Sequence, residues 1–143
     1  VYNLKKDFPN DEIIINGGIT CTSEVKKYLS KTDGVMIGRA AYHTPYLLAD
    51  IEKEIFNNHN VLSREEVIEN LIPYIKIELK KGTRLNQIMR HTLGLFHGQT
   101  GATYWKRYLS ENMCVRDADV KKIDHIMDKI KFDNIDKSVG QSV

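Results

Sequence analysis

The stretch Glu12–Arg39 reads EIIINGGITCTSEVKKYLSKTDGVMIGR, and it decides the fold. An apolar run at 13–15 ends at Asn16-Gly17-Gly18, a segment with helical periodicity follows, and a second apolar run at 35–37 ends at Gly38-Arg39. Two short, continuous apolar runs joined by a helix are typical of a βαβ unit whose parallel strands are buried on both faces. The sequence therefore predicts two neighbouring parallel strands that each end in glycine.

The glycine corners that follow these strands form the first candidate site. Glycine lets the backbone turn sharply and lets another group approach the peptide N–H groups closely. TIM (β/α)8 barrels usually bind phosphate in the loops after strands seven and eight, so we predict that these are those two strands. The predicted phosphate ligands are Asn16, Gly17, Gly18, Gly38 and Arg39. The alternative is a pair of structural glycine turns beside a surface arginine.

The composition limits the class of protein. The chain has 143 residues, of which 41% are hydrophobic, and these values favour a packed fold over disorder. No apolar run is long enough to cross a bilayer, and no signal peptide opens the sequence. Cys21 and Cys114 are far apart and match no metal or redox spacing. We therefore expect a cytoplasmic protein with neither a metal site nor a membrane partner.

The order of the segments predicts two domains. Two parallel strands cannot form a stable sheet alone, and the chain starts at Val1, so we expect the carboxyl-terminal part of a longer protein. A polar break at 57–60 precedes purely helical periodicity. The predicted organisation is the end of the barrel at 1–57, a helical domain at 58–133 and a flexible tail at 134–143. Four amphipathic segments with short loops predict an antiparallel four-helix bundle in the helical domain.

Helix boundaries are predicted from capping signals. Ser63 followed by Glu66 predicts a capping box, and Pro73 should kink the helix that follows. Thr83 should cap a second helix that continues to Phe96, and a glycine-bounded turn leads to a third helix that contains Trp105. The other predicted helix starts are Thr20 or Thr22, Pro45, and Asp117 or Asp119.

The charge distribution identifies a second candidate site. The formal net charge is only +2, but residues 83–116 contain five basic residues and one acidic residue, whereas 1–82 and 117–143 each have a net charge of −1. A local basic block predicts a polyanion partner such as RNA, and the alternative is a solubilising face. The residues expected on this face are Arg90, His91, Thr103, Lys106 and Arg107. None of the five histidines has an acidic residue at a spacing typical of a catalytic pair, so no site with a nucleophile and a general base is predicted.

Four motifs occur in an order that resembles one family. They are INGGI at 15–19, DGVMIGRAAY at 33–42, RHTLGLFHG at 90–98 and GATYWKRYLSEN at 101–112. Over residues 1–112 the chain is similar to the carboxyl-terminal part of the tRNA-dihydrouridine synthases, in particular to their bacterial DusA type. The first two motifs also occur in other flavin barrels, whereas the last two are far more specific.

The resemblance implies an FMN-binding barrel followed by a helical tRNA-binding domain. Such an enzyme reduces a D-loop uridine of tRNA (20/20a type) to 5,6-dihydrouridine with electrons from NADPH, and we expect a monomer when full length. The resemblance implies that the two glycine corners and Arg39 bind the FMN phosphate. It also places the catalytic cysteine upstream, so no catalytic residue is expected here. Thr103 stands where the family usually has arginine, which leaves the exact uridine open. Lys106 stands where the family often has arginine, and it keeps the charge without the bidentate fork.

Two other functions remain open at this point. A different FMN-dependent barrel enzyme that acts on a small molecule would need no basic helical domain. A non-catalytic RNA-binding module would need no strands that end in glycine.

Overall fold

A computed structural model of the protein describes residues 1–115 and 118–139, the last nine of these as helical backbone only. The described chain forms two compact units, of which the first is Val1–Val61 and the second begins at Leu62. The elements in order are α1 (Tyr2–Asp7), β1 (Ile14–Asn16), α2 (Thr22–Leu29), β2 (Gly34–Met36), α3 (Arg39–His43), α4 (Leu47–Glu54), α5 (Arg64–Lys80), α6 (Leu85–Met89), a 3₁₀ helix (Arg90–Thr92), α7 (Ala102–Asn112) and α8 (Lys121–Val139).

The first unit is built around a two-stranded parallel sheet. Strand β1 pairs with β2 so that Ile14 lies opposite Gly34 and Asn16 opposite Met36. The crossover helix α2 and helix α4 pack on one face of the sheet, where a buried cluster forms from Ile19, Val25, Leu47 and Ile51. The prediction of two neighbouring parallel strands is confirmed, with β1 one residue later and β2 one residue earlier than predicted.

The two faces of this sheet differ in burial. Ile15 and Val35 are partly buried against the helical cluster, whereas Ile14 and Met36 on the opposite face are 55% and 49% exposed. Side chains alternate between the faces of a strand, and parallel sheets are normally covered on both. One apolar face of the sheet is therefore open within the described residues.

An ionic contact fastens the amino ends of the two strands. The Asp33 carboxylate accepts a hydrogen bond from the Ile13 N–H at 2.8 Å, and the Asp33 N–H donates to the Ile13 carbonyl at 3.0 Å. Lys5 Nζ lies 2.7 Å from the same carboxylate and also donates to the carbonyls of Pro9 and Asp11. The hydrogen bond from Lys5 is the main reason why the pKa of Asp33 is lowered. These bonds set the strand register.

Several local predictions for the first unit were wrong. Neither Thr20 nor Thr22 is the N-cap of α2; Cys21 takes that position, and Thr20 is instead bonded to the Glu24 carboxylate. Pro45 lies in a turn, and helix α4 begins two residues later. The short helix α3 was not predicted, because its five residues are too few to show a period.

The second unit is entirely helical in its described part. Helix α5 begins with the predicted capping box, in which the Ser63 hydroxyl accepts from the Glu66 N–H and the Glu66 carboxylate accepts from the Ser63 N–H. The helix continues through Pro73, and a kink there stays a prediction. The buried side chains are mostly aliphatic, with one phenylalanine and one tryptophan, and include Ile68, Ile75, Leu85, Met89, Phe96, Trp105, Leu109, Met113, Ile123, Ile126 and Ile130.

The second helix of this unit is much shorter than predicted. Helix α6 ends at Met89 and passes into the 3₁₀ helix, so no α-helix runs on to Phe96. Arg84 is its N-cap residue, and the Thr83 hydroxyl donates instead to the Glu78 carboxylate. Helix α7 starts at Ala102 as predicted. The antiparallel four-helix bundle is not confirmed and stays a prediction.

The remaining boundary predictions have different outcomes. Helix α8 begins at Lys121, whose N–H donates to the Asp119 side chain, while Asp117 lies outside the described residues. The predicted division at 57/58 lies four residues from the division into compact units, and the roles given to the two domains stay predictions. The backbone of the predicted tail is helical to Val139, and residues 140–143 lie outside the described part. Among described residues, no helix has the length and apolar character needed to cross a membrane.

The contact between Asp33, Lys5 and Ile13 predicts a pH dependence of folding. Because the pKa of Asp33 is lower in the folded state than its ordinary value of 3.8, this carboxylate stabilises the fold above that pH and ceases to do so as the pH falls through the folded-state pKa. Asp33→Asn should lower the urea midpoint at pH 7 and lose this part of the acid sensitivity. Asp7→Asn, which removes a charge from an exposed end of α1, is the control. Identical urea midpoints for both variants at pH 7 would contradict the assignment.

Candidate functional site

The two glycine corners lie at the same edge of the sheet. Gly17 and Gly18 directly follow β1, and Gly38 lies two residues after β2. Because the strands are parallel and Asn16 pairs with Met36, their carboxyl ends are adjacent. The sequence prediction that these corners are neighbours therefore agrees with the structure.

The backbone at the first corner requires glycine. Gly17 has φ +108° and Gly18 has φ +68°, both in the region that L-residues rarely adopt. A Cβ built on Gly17, Gly18 or Gly38 would meet no described atom within 4 Å. The corners thus border open space where another group can approach the main chain closely.

The polar groups at this edge suit an anion. Arg39 is exposed and is the first residue of α3, directly after the Gly38 corner. An arginine guanidinium beside accessible peptide N–H groups is a suitable arrangement for a phosphate. The residues present therefore fit a phosphate group, although their role as ligands stays a prediction.

One nearby N–H is already used inside the protein. The Glu24 carboxylate accepts from the Thr20 N–H at 2.7 Å and from the Thr20 hydroxyl at 3.0 Å. The hydrogen bond from the backbone of Thr20 is the main cause that lowers the pKa of Glu24, so the side chain is ionised at neutral pH. This bonding holds the loop between the first corner and α2, and it uses the Thr20 N–H, which is therefore not counted among the candidate anion donors.

Trp105 organises the basic region in the second unit. Its side chain is fully buried, packs on Phe96 with ring centroids 4.8 Å apart, and donates from Nε1 to the Thr92 carbonyl at 2.9 Å. This hydrogen bond ties α7 to the end of the 3₁₀ helix. Because Trp105 faces inward, its neighbours Lys106 and Arg107 are exposed on the outer side of α7, as the sequence predicts.

The structure brings some of the predicted RNA-binding residues into contact with each other. Arg90 and His91 lie in the 3₁₀ helix, where Arg90 Nε donates to His91 Nε2 at 3.2 Å. Thr103, Lys106 and Arg107 share the exposed side of α7. Their combination with Arg90 and His91 into one binding face stays a prediction.

The charge of Arg107 is partly offset. Arg107 forms an ion pair with Glu111 at 3.2 Å, one helical turn along, and both side chains are largely exposed. Glu111 is also the one acidic residue between 83 and 116. None of the ion pairs found between described side chains involves Lys106, so no such pair offsets its charge.

Sequence reasoning missed two features of this unit. The ring centroids of Tyr104 and Tyr108 lie 6.1 Å apart, and the ring of Tyr108 lies 5.8 Å from that of His125. The spacing of four residues between the tyrosines was the available signal. The second feature, a cavity beside α6 and α7, left no sequence signal, because residues distant in the chain line it.

No described group of three or more His, Cys, Asp or Glu side chains comes together as a metal site would require. Cys21 and Cys114 are free thiols. The expectation that the protein needs no metal stays a prediction.

A profile of the dihydrouridine synthase (Dus) family matches residues 1–131. This chain belongs to the dihydrouridine synthase family. The match includes both glycine corners and all of the predicted RNA-binding residues, and the resemblance seen in the sequence motifs is thereby confirmed.

Curated relatives carry one consistent description. The chain is 45% identical over 136 residues to a tRNA-dihydrouridine(20/20a) synthase of Synechocystis, a match that covers 94% of this chain and 41% of the relative. It is 44% identical over 128 residues to the protein of that name from Haemophilus ducreyi, with 89% and 40% covered. A relative of the same name from Escherichia coli K12 is 45% identical over 128 residues, with 89% and 37% covered. The chain therefore spans about two-fifths of the length of these relatives.

The hydrogen bond from Trp105 to Thr92 predicts that this side chain stabilises the fold around the basic segment 83–116. Trp105→Phe should lower the free energy of unfolding by about 2 kcal/mol, because the smaller ring leaves a void and the Thr92 carbonyl loses the indole N–H, although it keeps its bond from the Leu95 N–H. Denaturant unfolding followed by circular dichroism measures this. The control Tyr74→Phe alters a side chain that is 52% exposed and should change the value by less than about 0.5 kcal/mol. Equal effects of the two changes would show that Trp105 does not anchor the region.

Proposed function

We propose that this chain supplies the flavin-phosphate edge and the tRNA-binding unit of an FMN-dependent tRNA-dihydrouridine synthase. The full-length enzyme would reduce a D-loop uridine of tRNA, of the 20/20a type, with NADPH as reductant. The observation that carries the proposal is the adjacency of two glycine corners at the ends of paired parallel strands, in a chain of the dihydrouridine synthase family.

The open face of the sheet supports a barrel in the full-length protein. Ile14 and Met36 project from this face, and a two-stranded parallel sheet has two unpaired edges. In a (β/α)8 barrel, further strands pair with both edges and inward-pointing side chains pack in layers. We infer that β1 and β2 are strands seven and eight, and that the catalytic residues lie on preceding strands.

The role of the first unit follows from its donors. The peptide N–H groups at Gly17, Gly18 and Gly38 and the Arg39 guanidinium would hold the FMN phosphate at the carboxyl edge of the sheet, and the Asn16 side chain lies at the same edge. When bound, FMN supplies the hydride chemistry that no side chain can provide. The residues of this chain then determine where the flavin is fixed, while protonation of the substrate is left to residues outside it.

The role of the second unit follows from its charges. Arg90, His91, Lys106 and Arg107 would contact tRNA phosphates, with Thr103 about one turn before the two cations of α7. Phosphate contacts set the register and orientation of a nucleic acid and carry little sequence information. A uridine within folded tRNA must unstack from its neighbouring bases to reach a flavin. The enzyme therefore needs a separate surface that holds the tRNA while this base is unstacked. Since tRNA is modified where it matures, the proposal implies a cytoplasmic enzyme.

The proposed activity is tested directly with the full-length protein. The purified protein should show flavin absorbance, and incubation with unmodified tRNA and NADPH should produce dihydrouridine, measured by mass spectrometry of the digested tRNA. A correctly folded protein without flavin absorbance would exclude the flavoenzyme. Flavin reduction without any affinity for tRNA at low salt would indicate a small-molecule substrate instead.

Arg39→Ala should weaken retention of FMN. Loss of a charge-assisted contact to phosphate costs about 1.5–3 kcal/mol, which corresponds to a rise of roughly tenfold or more in the dissociation constant for FMN. Flavin fluorescence during dilution measures this value. The matched control is Lys31→Ala, which removes a cation before β2, at the opposite end of the same strand. Equal loss of FMN from both variants would contradict the site.

Lys106→Ala should weaken tRNA binding and leave the bound flavin unchanged. One lost phosphate contact should lower the salt dependence, the slope of log K against log salt concentration, by about one unit. Lys106→Arg should retain the affinity because it retains the charge. Lys76→Ala, on the exposed side of α5, is the matched control. If Lys106→Ala released FMN and left tRNA affinity intact, the assignment of the two units would be wrong.

A further inference from the structure

A cavity of about 230 Å³ lies between α6 and α7 in the second unit. Its inner wall is apolar, because Met89, Leu109 and Met113 are buried there. Polar residues also line the cavity, of which Arg90 and Ser110 are exposed and Asn86 is half-buried. Pockets for drug-sized ligands usually measure about 300–1,000 Å³, so this cavity suits a single ring rather than a whole cofactor.

Asn86 is incompletely bonded at the wall of this cavity. Its Oδ1 atom is buried and has no hydrogen-bond partner among the described residues. Its Nδ2 atom meets only the sulfur of Cys114, at 3.9 Å, which is a weak contact. A buried amide oxygen without a partner is costly and uncommon in native proteins. Rotation of the amide would exchange the positions of Oδ1 and Nδ2 and bring the acceptor to the side of Cys114, which also lines the cavity.

The opening of the cavity carries positive charge. Arg90 lines it and is exposed, and it takes part in none of the ion pairs between described side chains. Lys106 lies one turn before Ser110, whose hydroxyl donates to the Lys106 carbonyl at 2.9 Å. Glu111, the nearby acidic residue, is occupied by Arg107. The cavity therefore opens between cations that would attract a polyanion.

We propose that this cavity receives one unstacked nucleobase of the bound tRNA. The inference rests on the proposed function, because it requires that the second unit binds tRNA. The apolar wall would pack against the base, the Asn86 amide would pair with donor and acceptor atoms on the base edge, and Arg90 would contact the adjoining phosphate. Single-stranded loops of RNA are commonly recognised through such splayed bases.

This arrangement differs from a general electrostatic grip. Phosphate contacts by Lys106 or Arg107 hold any RNA of suitable shape, whereas an amide that lines a cavity of this size can read an individual base. The cavity would therefore make the affinity for tRNA depend on the identity of one nucleotide. An apolar side chain of a protein partner could also fill the inner wall, but it would gain nothing from Arg90 or from an unpaired amide.

The first test measures tRNA affinity of the full-length protein for Asn86→Leu and Ser110→Trp. The first variant removes the amide and nearly preserves its shape, and the second places an indole over the opening. Each should raise the dissociation constant about tenfold without changing the salt dependence, because no phosphate contact is lost. Asn70→Trp adds the same indole on the exposed side of α5 and should leave the affinity unchanged. Asn86→Leu should not lower the unfolding midpoint, because it removes an unsatisfied buried oxygen.

The second test asks whether a base occupies the cavity. A series of tRNAs with a single abasic nucleotide at successive loop positions is bound to the wild-type protein and to Asn86→Leu. The wild-type protein should lose about tenfold in affinity at one position, and the variant should lose nothing further at that position. The proposal would be overturned if every abasic tRNA bound Asn86→Leu more weakly than it binds the wild-type protein, by the same factor at each position.

The outcomes separate this inference from the proposed function. If the wild-type protein binds no tRNA at low salt, the tRNA-binding role itself fails. If it binds tRNA and neither Asn86→Leu nor Ser110→Trp weakens binding, the base-binding cavity fails alone. A loss of affinity accompanied by a smaller salt dependence would assign Asn86 to the phosphate contacts, and the cavity would again be excluded.

Discussion

The parallel pairing of β1 with β2 is the constraint on which the candidate flavin site depends. The bonds of Asp33 to Ile13 and Lys5 fasten the strands at their amino ends. A slip of one residue would move every strand side chain to the opposite face and separate the corners at the other end. The exposed salt bridge with Lys5 contributes little by itself, but the same carboxylate also holds a backbone N–H at the strand start. The contacts of Asp33 at the amino ends of the strands thus determine the geometry of the carboxyl ends, where the glycine corners lie.

In the second unit, the buried side chain of Trp105 determines which residues of the short helix α7 are exposed. Trp105 is fully buried and bonded through Nε1, so the rotation of α7 about its axis is determined. Lys106 and Arg107, which follow Trp105 in the chain, therefore lie on the side of α7 that faces solvent. Arg107 forms an ion pair with Glu111, whereas no ion pair between described side chains involves Lys106, so the charges of the two adjacent cations are not equally offset. Electrostatic attraction of this kind supplies affinity and register, and discrimination between nucleotides needs contacts with base edges.

Burial of polar groups distinguishes the two candidate sites. The glycine edge is exposed and its internal hydrogen bonds are local, as the pairing of Thr20 with Glu24 illustrates. The cavity beside α6 contains a buried amide oxygen without a partner, which is tolerated only where something else compensates or where a ligand completes the bonding. Asn86 is therefore the residue in the described chain whose bonding is least explained by folding alone. Its position among apolar neighbours and beside Arg90 gives it a chemical character that Lys106 lacks.

The sequence by itself determined the parallel strand pair, the glycine corners, the inward position of Trp105 and the capping box at Ser63, because each depends on residues close in the chain or on a strict period. The family follows from motifs of the same local kind. Only the tertiary structure decided that α6 ends at Met89 and that Trp105 bonds to the Thr92 carbonyl beyond it, a contact between residues that no helical period connects. It also decided the cavity at Asn86 and Cys114, which lie 28 residues apart. Contacts between distant segments are set by packing, and no local pattern encodes them.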